Sequence, residues 1–265
     1  MEKIGCKVYP GFRGTAEQNL ELIKAAGFDT TCFYWDENCA KNVQKASALK
    51  LHISELDMPN AESNSIWEEG TPGDFYTEKI RRCITDAAFY GIPRIVLCAT
   101  ATASAPKTSP IGLVRFGKLI KEAEKQGVKL CLKNAEFLRH ISLLFSMFPS
   151  ENLGLCYDFG HEDCLTPGIK YLPLFGQRVF CARIHDNYGF PEDKTVDKKY
   201  DLHRIPFDGA LPLTEKYKAL TQCGFEAPLM LDVFDRDGFY KDLSAEEFYR
   251  RAFTAAKRLL ETQEK

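Results

Sequence analysis

Short apolar runs alternate along this chain with longer stretches in which apolar side chains recur every third or fourth position. The short runs have the character of strands and the periodic stretches that of helices. Lys3–Val8 reads as a first strand, and Thr15–Ala26 as a helix stopped by Gly27, since glycine accepts the left-handed backbone that ends a helix. Thr30–Phe33 and His52–Leu56 read as strands, with a helix over Cys39–Leu49 between them. Asp57–Gly73 is polar and reads as a long loop, and Asp74–Tyr90 is helical up to Gly91. Arg94–Ala99 is a strand of the fully buried kind, followed by a helix over Pro110–Gln126 with proline near its start. Lys129–Leu132, Leu153–Tyr157, Val179–Ile184 and Pro228–Leu231 read as strands, Glu136–Phe148 as a helix. The last helix, Ser244–Glu264, opens on a capping box from Ser244 to Glu247.

About eight strands, nearly all followed by a helix, imply a parallel sheet. No glycine-rich phosphate fingerprint follows the first strand, which disfavours an open dinucleotide-binding sheet. The expected fold is therefore an α/β (β/α)8 TIM barrel, one domain over residues 1–265.

Composition narrows the picture. Of the 265 residues 45% are hydrophobic and 27% charged, enough for a large core, and the formal net charge is -2. That balance lacks the basic footprint of a nucleic-acid binder. No leader and no membrane span are expected, and a cytoplasmic location follows. The ten cysteines form no Cys-x-x-Cys pair. Cys6, Cys32, Cys98, Cys131, Cys156 and Cys181 sit in apolar runs, so all ten are expected to be reduced.

In a barrel of this kind, polar residues at the C-terminal ends of strands mark the site. The fifth strand ends in Lys133-Asn134, the sixth runs into Asp158 and His161, and the seventh ends at His185. A loop carries Asp201, His203 and Arg204, and the eighth strand ends at Asp232. One aspartate after a strand usually caps a helix, and a lone histidine is usually packing, the reading given to His52 and His140. Asp158, His185 and Asp232 differ, because three successive strands bring them to one rim. Mixed histidine and carboxylate groups suit a borderline divalent cation.

The segments GLCYDFGH, ARIHDN, DLHRIPFDG and LMLDV together resemble the xylose isomerase-like barrel superfamily of sugar phosphate isomerases, ketose 3-epimerases, inosose dehydratases and endonuclease-four-type repair enzymes. The resemblance implies metal ligation by Asp158, His185 and Asp232, with Asp201 and His203 as a further metal pair. It implies substrate contact by His161, Arg204, Asn134 and, in place of the family's third-strand histidine, Glu55. The implied ion is Mn, Co, Zn or Mg. One departure stands out: Lys133 occupies the position of the family's metal-binding, proton-moving glutamate, and with Asp232 it is the candidate catalytic residue.

The implied chemistry is proton transfer next to a carbonyl in a small carbohydrate or polyol, with a divalent metal. The alternatives are a dehydratase, a metal-free variant relying on Lys133, and a non-catalytic sugar-binding relative. Expected partners are a small carbohydrate and a second copy of the chain, with neither nucleic acid nor membrane. Two arrangements are open for Lys133: it swings away from a bound ion, or its ammonium takes the ion's place between Asp158 and Asp232.

Overall fold

The computed structural model describes residues 4–100, 105–134, 137–166, 168–191 and 197–262. Eight parallel strands close into a barrel in chain order: β1 (Ile4–Lys7), β2 (Thr30–Tyr34), β3 (His52–Asp57), β4 (Arg94–Leu97), β5 (Lys129–Lys133), β6 (Leu153–Asp158), β7 (Val179–Ile184) and β8 (Leu229–Leu231). Pairing of β8 with β1 completes the closure and leaves no open edge. The expected barrel is therefore the observed fold.

Outside lie α1 (Ala16–Ala26), α2 (Cys39–Ala48), α3 (Thr71–Phe89), α4 (Pro110–Gln126), α5 (Leu138–Met147), α6 (Phe159–Cys164), α7 (Tyr171–Phe175), α8 (Leu213–Gln222) and α9 (Ala245–Glu261). Thr15 and Ser244 cap α1 and α9 through complete capping boxes, and Gly27 and Gly127 end α1 and α4 in left-handed geometry. The 57–73 loop differs from its reading in holding a 3-10 turn at Ser63–Trp67 and the first residues of α3. The predicted starts at Lys3 and Glu136 and the end at Glu264 lie outside the described residues.

The sequence reading missed α8, for an identifiable reason. Its buried face is Leu213, Lys216, Tyr217 and Leu220, so a lysine interrupts the apolar stripe. Lys216 is buried because it pairs with Glu162 at 2.6 Å and with Asp163 at 2.5 Å. These contacts fasten α8 to α6, behind the strand ends.

Strand side chains alternate between the helices and the barrel interior. Cys131, Cys156 and Cys181 pack with Val96 in one interior cluster. Two residues further along each strand come Lys133, Asp158 and Arg183, so thiols floor the barrel and charges fill its upper layer. Arg183 is fully buried and spans the interior to β3, donating to Glu55 and Asp57. Asp57 also holds Lys7 of β1 at 2.6 Å. Burial works against the charge on Asp57, yet Arg183 and Lys7 hold its carboxyl down at about 2.

Removing Arg183 leaves Glu55 buried with only a 3.8 Å contact to Arg94 Nε and Asp57 with Lys7 as its one remaining close cation, which costs about 3–5 kcal/mol. Arg183→Met should lower the unfolding free energy by that amount in urea titration; a loss below about 1 kcal/mol would show that Glu55 and Asp57 do not depend on it.

All ten cysteines are free thiols, nine of them buried and Cys223 partly exposed. Native protein under non-reducing conditions should therefore show about one fast-reacting thiol, and denatured protein all ten. A shortfall after denaturation would mean that a disulfide forms.

Candidate active site

Every strand here points its C-terminal end toward one mouth of the barrel. Lys133, the last residue of β5, places its ammonium between two carboxylates, 2.8 Å from Asp158 Oδ2 and 3.0 Å from Asp232 Oδ2. Asp232 follows β8 directly, and its other carboxylate oxygen accepts from the Tyr9 hydroxyl and lies 4.0 Å from Lys7 Nζ. Burial opposes charge on Lys133, but Asp158 outweighs it and raises the pKa. Burial likewise opposes charge on Asp158, but His161, Lys133 and His185 hold its carboxyl well below the usual range.

Asp158 has a second task. It caps the short helix α6, accepting the His161 backbone N–H at 3.0 Å. That cap turns His161, three residues on, back over the mouth. Gly160 lies between them because nothing larger fits: a Cβ there would stand 1.9 Å from the His185 ring. His185 in turn makes a 2.9 Å hydrogen bond from Nε2 to Asp158 Oδ1 and stacks on His203 with ring centroids 4.1 Å apart.

Asp201 closes the group, with His203 Nε2 at 3.1 Å, His161 Nε2 at 3.4 Å and His185 Nε2 at 3.7 Å. His161 Nδ1 meets the carbonyl of Asn134 at 2.9 Å, and His203 Nδ1 meets that of Asp232 at 2.6 Å. A carbonyl only accepts, so both Nδ1 atoms carry hydrogen and a neutral ring keeps its lone pair on Nε2, facing Asp201. His161, His185, Asp201 and His203 each offer a ligand atom, all within 4.8 Å of one another. Two ligand nitrogens whose opposite edges are fixed by backbone carbonyls are the usual setting of metal-binding imidazoles, and with His185 Nε2 released from its hydrogen bond to Asp158 the set of three nitrogens and one carboxylate suits zinc, cobalt or manganese.

The structure thus divides the expected ligands. His185, Asp201 and His203 fall in the four-residue cluster, joined by His161, while Asp158 and Asp232 face the ammonium of Lys133. Asn134 clamps β6 rather than the pocket wall: its side chain bonds both backbone groups of Asp158. Glu55 lies in the interior ion pair with Arg183, and Arg204 is turned outward to Asp237 and the Tyr188 hydroxyl. Neither lines the pocket over Lys133, whose volume is about 250 Å³. His52 is exposed and His140 packs against Trp67, as their readings had it.

Sequence reasoning missed Lys7, Tyr9, Arg183 and Arg236. The available signal was weak: Lys7 and Arg183 sit on the alternating inward positions of otherwise apolar strands. A larger cleft of about 470 Å³, lined by Trp35, Glu62 and Arg82 among others, contains none of the residues grouped around Lys133 and Asp201.

A closed eight-stranded parallel barrel with a buried His/Asp/Lys cluster at its C-terminal mouth defines a class, and comparison with known proteins places the chain within it. The family model for the xylose isomerase-like TIM barrel matches residues 20–259. The chain belongs to that family. It is similar to the uncharacterized protein y4fM of Sinorhizobium fredii (strain NBRC 101917 / NGR234), with 29% identity over 259 residues, 92% of this chain and 78% of that one. Its fold is shared with a xylose isomerase-like TIM barrel/4-hydroxyphenylpyruvate dioxygenase fusion protein at TM-score 0.79 and 17% identity; the match covers 98% of this chain but 43% of that protein's length. An L-ribulose 3-epimerase matches at TM-score 0.76 and 14% identity over 100% of this chain and 96% of that one. The IOLI protein, solved with a binding zinc atom, matches at TM-score 0.74 and 18% identity over 98% of both chains. Among the described residues no helix is long and apolar enough to cross a membrane.

The imidazoles should titrate apart in metal-free protein. Burial pushes His203 from 6.5 down to about 4, with His185 adding to the fall and Asp201 opposing it. Burial also disfavours the His161 cation, but Asp158 and Asp201 raise its pKa overall. The two therefore act on stability with opposite sign. His203 removes stability as pH falls from 6.5 to about 4, because the unfolded ring takes the proton first. His161 contributes stability below its ordinary value, which is lost as pH rises through its raised one. NMR titration of the ring carbons should show both trends; a His203 midpoint near 6.5 would contradict the burial described here.

Proposed function

We propose that the protein is an isomerase or epimerase of a small carbohydrate or polyol, moving protons next to a carbonyl in the pocket over Lys133. The observation that carries this reading is the Lys133 ammonium held between Asp158 and Asp232 at the pocket floor. Removing a proton beside a carbonyl builds negative charge on oxygen, and a fixed cation in a buried site stabilises that charge. Lys133 is charged at rest, so it acts as a base only after passing a proton along its 3.0 Å hydrogen bond to Asp232. Burial pushes the Asp232 carboxyl up, against the pull of Lys7, which makes it a fitting acceptor. The couple can then take a proton from one face or oxygen and return it elsewhere, while Tyr9 and Lys7 hold Asp232 in place.

His161, His185, Asp201 and His203 would hold a divalent ion, zinc, cobalt, manganese or magnesium, and the donor set fits the first three best. When bound, such an ion supplies Lewis acidity toward substrate oxygens. Zinc in the IOLI structure and the epimerase activity named for a structural neighbour support the reading. The family's usual ligand position at the end of the fifth strand is here the ammonium, so an ion would be held by the histidines and Asp201 without a ligand from that strand.

Lys133→Glu exchanges that ammonium for a carboxylate. Calorimetric titration with Mn should show about tenfold tighter binding for the variant than for the natural protein, since a close ammonium repels a divalent cation. Lys133→Met should abolish solvent-deuterium incorporation into a panel of ketoses in heavy water. Equal Mn affinity in the Glu variant, together with undiminished exchange in the Met variant, would remove Lys133 from both roles.

A further inference from the structure

Cations dominate the wall of the pocket. Among the described residues Lys7, Lys133, Lys198 and Arg236 line it, against the single carboxylate of Asp201. The carboxylates that balance Lys7 and Lys133 lie behind them: Asp57, Asp158 and Asp232 are buried and outside the lining. A ligand entering therefore meets positive charge first. The remaining wall includes Tyr9, Tyr34, Phe234 and Leu165, apolar surface of the sort that packs against the C–H face of a sugar.

Arg236 is the cation with donors to spare. It stands partly exposed, its side chain 34% accessible, and commits only Nη1, to the Asp201 carbonyl at 2.6 Å and carboxylate at 3.1 Å. Among the described residues Nε and Nη2 have no hydrogen-bond acceptor. Arg204 contrasts with it. Its guanidinium packs between the rings of Tyr188 and Phe239, at 4.8 and 4.1 Å from their centroids, and is paired with Asp237. A guanidinium edge with two unused donors matches the two oxygens of a carboxylate or phosphate.

The geometry points to an anionic polyol as the ligand of this pocket: a sugar whose carbonyl end lies at Lys133 and whose terminal carboxylate or phosphate lies on the open edge of Arg236. The inference rests on the reading of this pocket as a carbohydrate site. It holds with or without an ion at the histidines, because a divalent cation adds to the positive wall. Asp201 links the two ends, since Arg236 braces the carboxylate that His161 and His203 face.

Calorimetry on the full chain at fixed ionic strength tests it with two matched pairs: D-gluconate against sorbitol, and D-ribulose 5-phosphate against D-ribulose. At least one anionic probe should bind about tenfold tighter than its neutral partner, and the tighter of the two identifies carboxylate or phosphate. Arg236→Gln should erase most of that preference, read as the ratio of anionic to neutral affinity within each pair, and Arg236→Lys should keep part of it. Equal binding within both pairs would overturn the inference. So would an Arg236→Gln variant that weakens neutral and anionic probes alike, since Arg236 would then act only by bracing Asp201. Heavy-water exchange separates this from the parent reading. Anion preference without exchange of any probe sinks the isomerase and keeps the anionic ligand; exchange confined to the neutral sugars does the reverse.

Discussion

The upper barrel is organised by one constraint: ions buried inside a closed sheet must alternate in sign. From one wall to the other the order is Glu55, Arg183, Asp57, Lys7, Asp232, Lys133, Asp158, and then the histidines. Each member faces opposite charge on both sides, and the steps join six different strands or strand ends. No member can be lost without leaving its neighbours buried with half of their compensating charge, a costly change for ions removed from water. Replacing the whole set by well-packed apolar side chains would not carry that penalty, so the series is better understood as fixing where charges stand than as a source of stability.

Lys133 is the hinge of that series. At a strand end that would suit a carboxylate ligand, an ammonium converts the space between Asp158 and Asp232 from a cation site into an occupied ion pair. The remaining donors sit one step toward the opening, where α6 and the 201–203 loop contribute side chains that no strand carries. Asp158 belongs to both groups, pairing with Lys133 through one oxygen while the other bonds His185 and caps α6. Any change at Asp158 therefore reaches the ammonium, the helix and two imidazoles together.

Support for this arrangement comes from outside the barrel as well. Lys216 on α8 crosses to Glu162 on α6, and Tyr157 donates to the same glutamate at 3.0 Å. Helix α6, too short to be stable by its own hydrogen bonds, is thereby held at both its capped start and its outer face. His203 sits at a left-handed backbone position, φ 52°, which places its ring against His185 and lets its Nδ1 reach the carbonyl of Asp232. Such a conformation in a non-glycine residue is uncommon, and here the flanking contacts hold it.

Much of this was legible along the chain. Periodicity of two against three to four separated strands from helices, and the count of alternating units implied closure. Asp158, His185 and Asp232 were visible because a polar residue ending an apolar strand breaks the pattern at a defined place. Lys7, Arg183 and the inner face of α8 were not, since a charge within an apolar run carries no mark of which partner will neutralise it. Glu55 and Arg204 show the same limit from the other side: their residue types suited a substrate, but partners far along the chain, Arg183 and Asp237, took them. Local sequence determines which backbone a segment adopts and which positions face inward, because those follow from neighbours a few residues away. Which charges meet was decided only when closure brought β3 against β7 and β5 against β8, since pairing energy depends on distance in space and not along the chain.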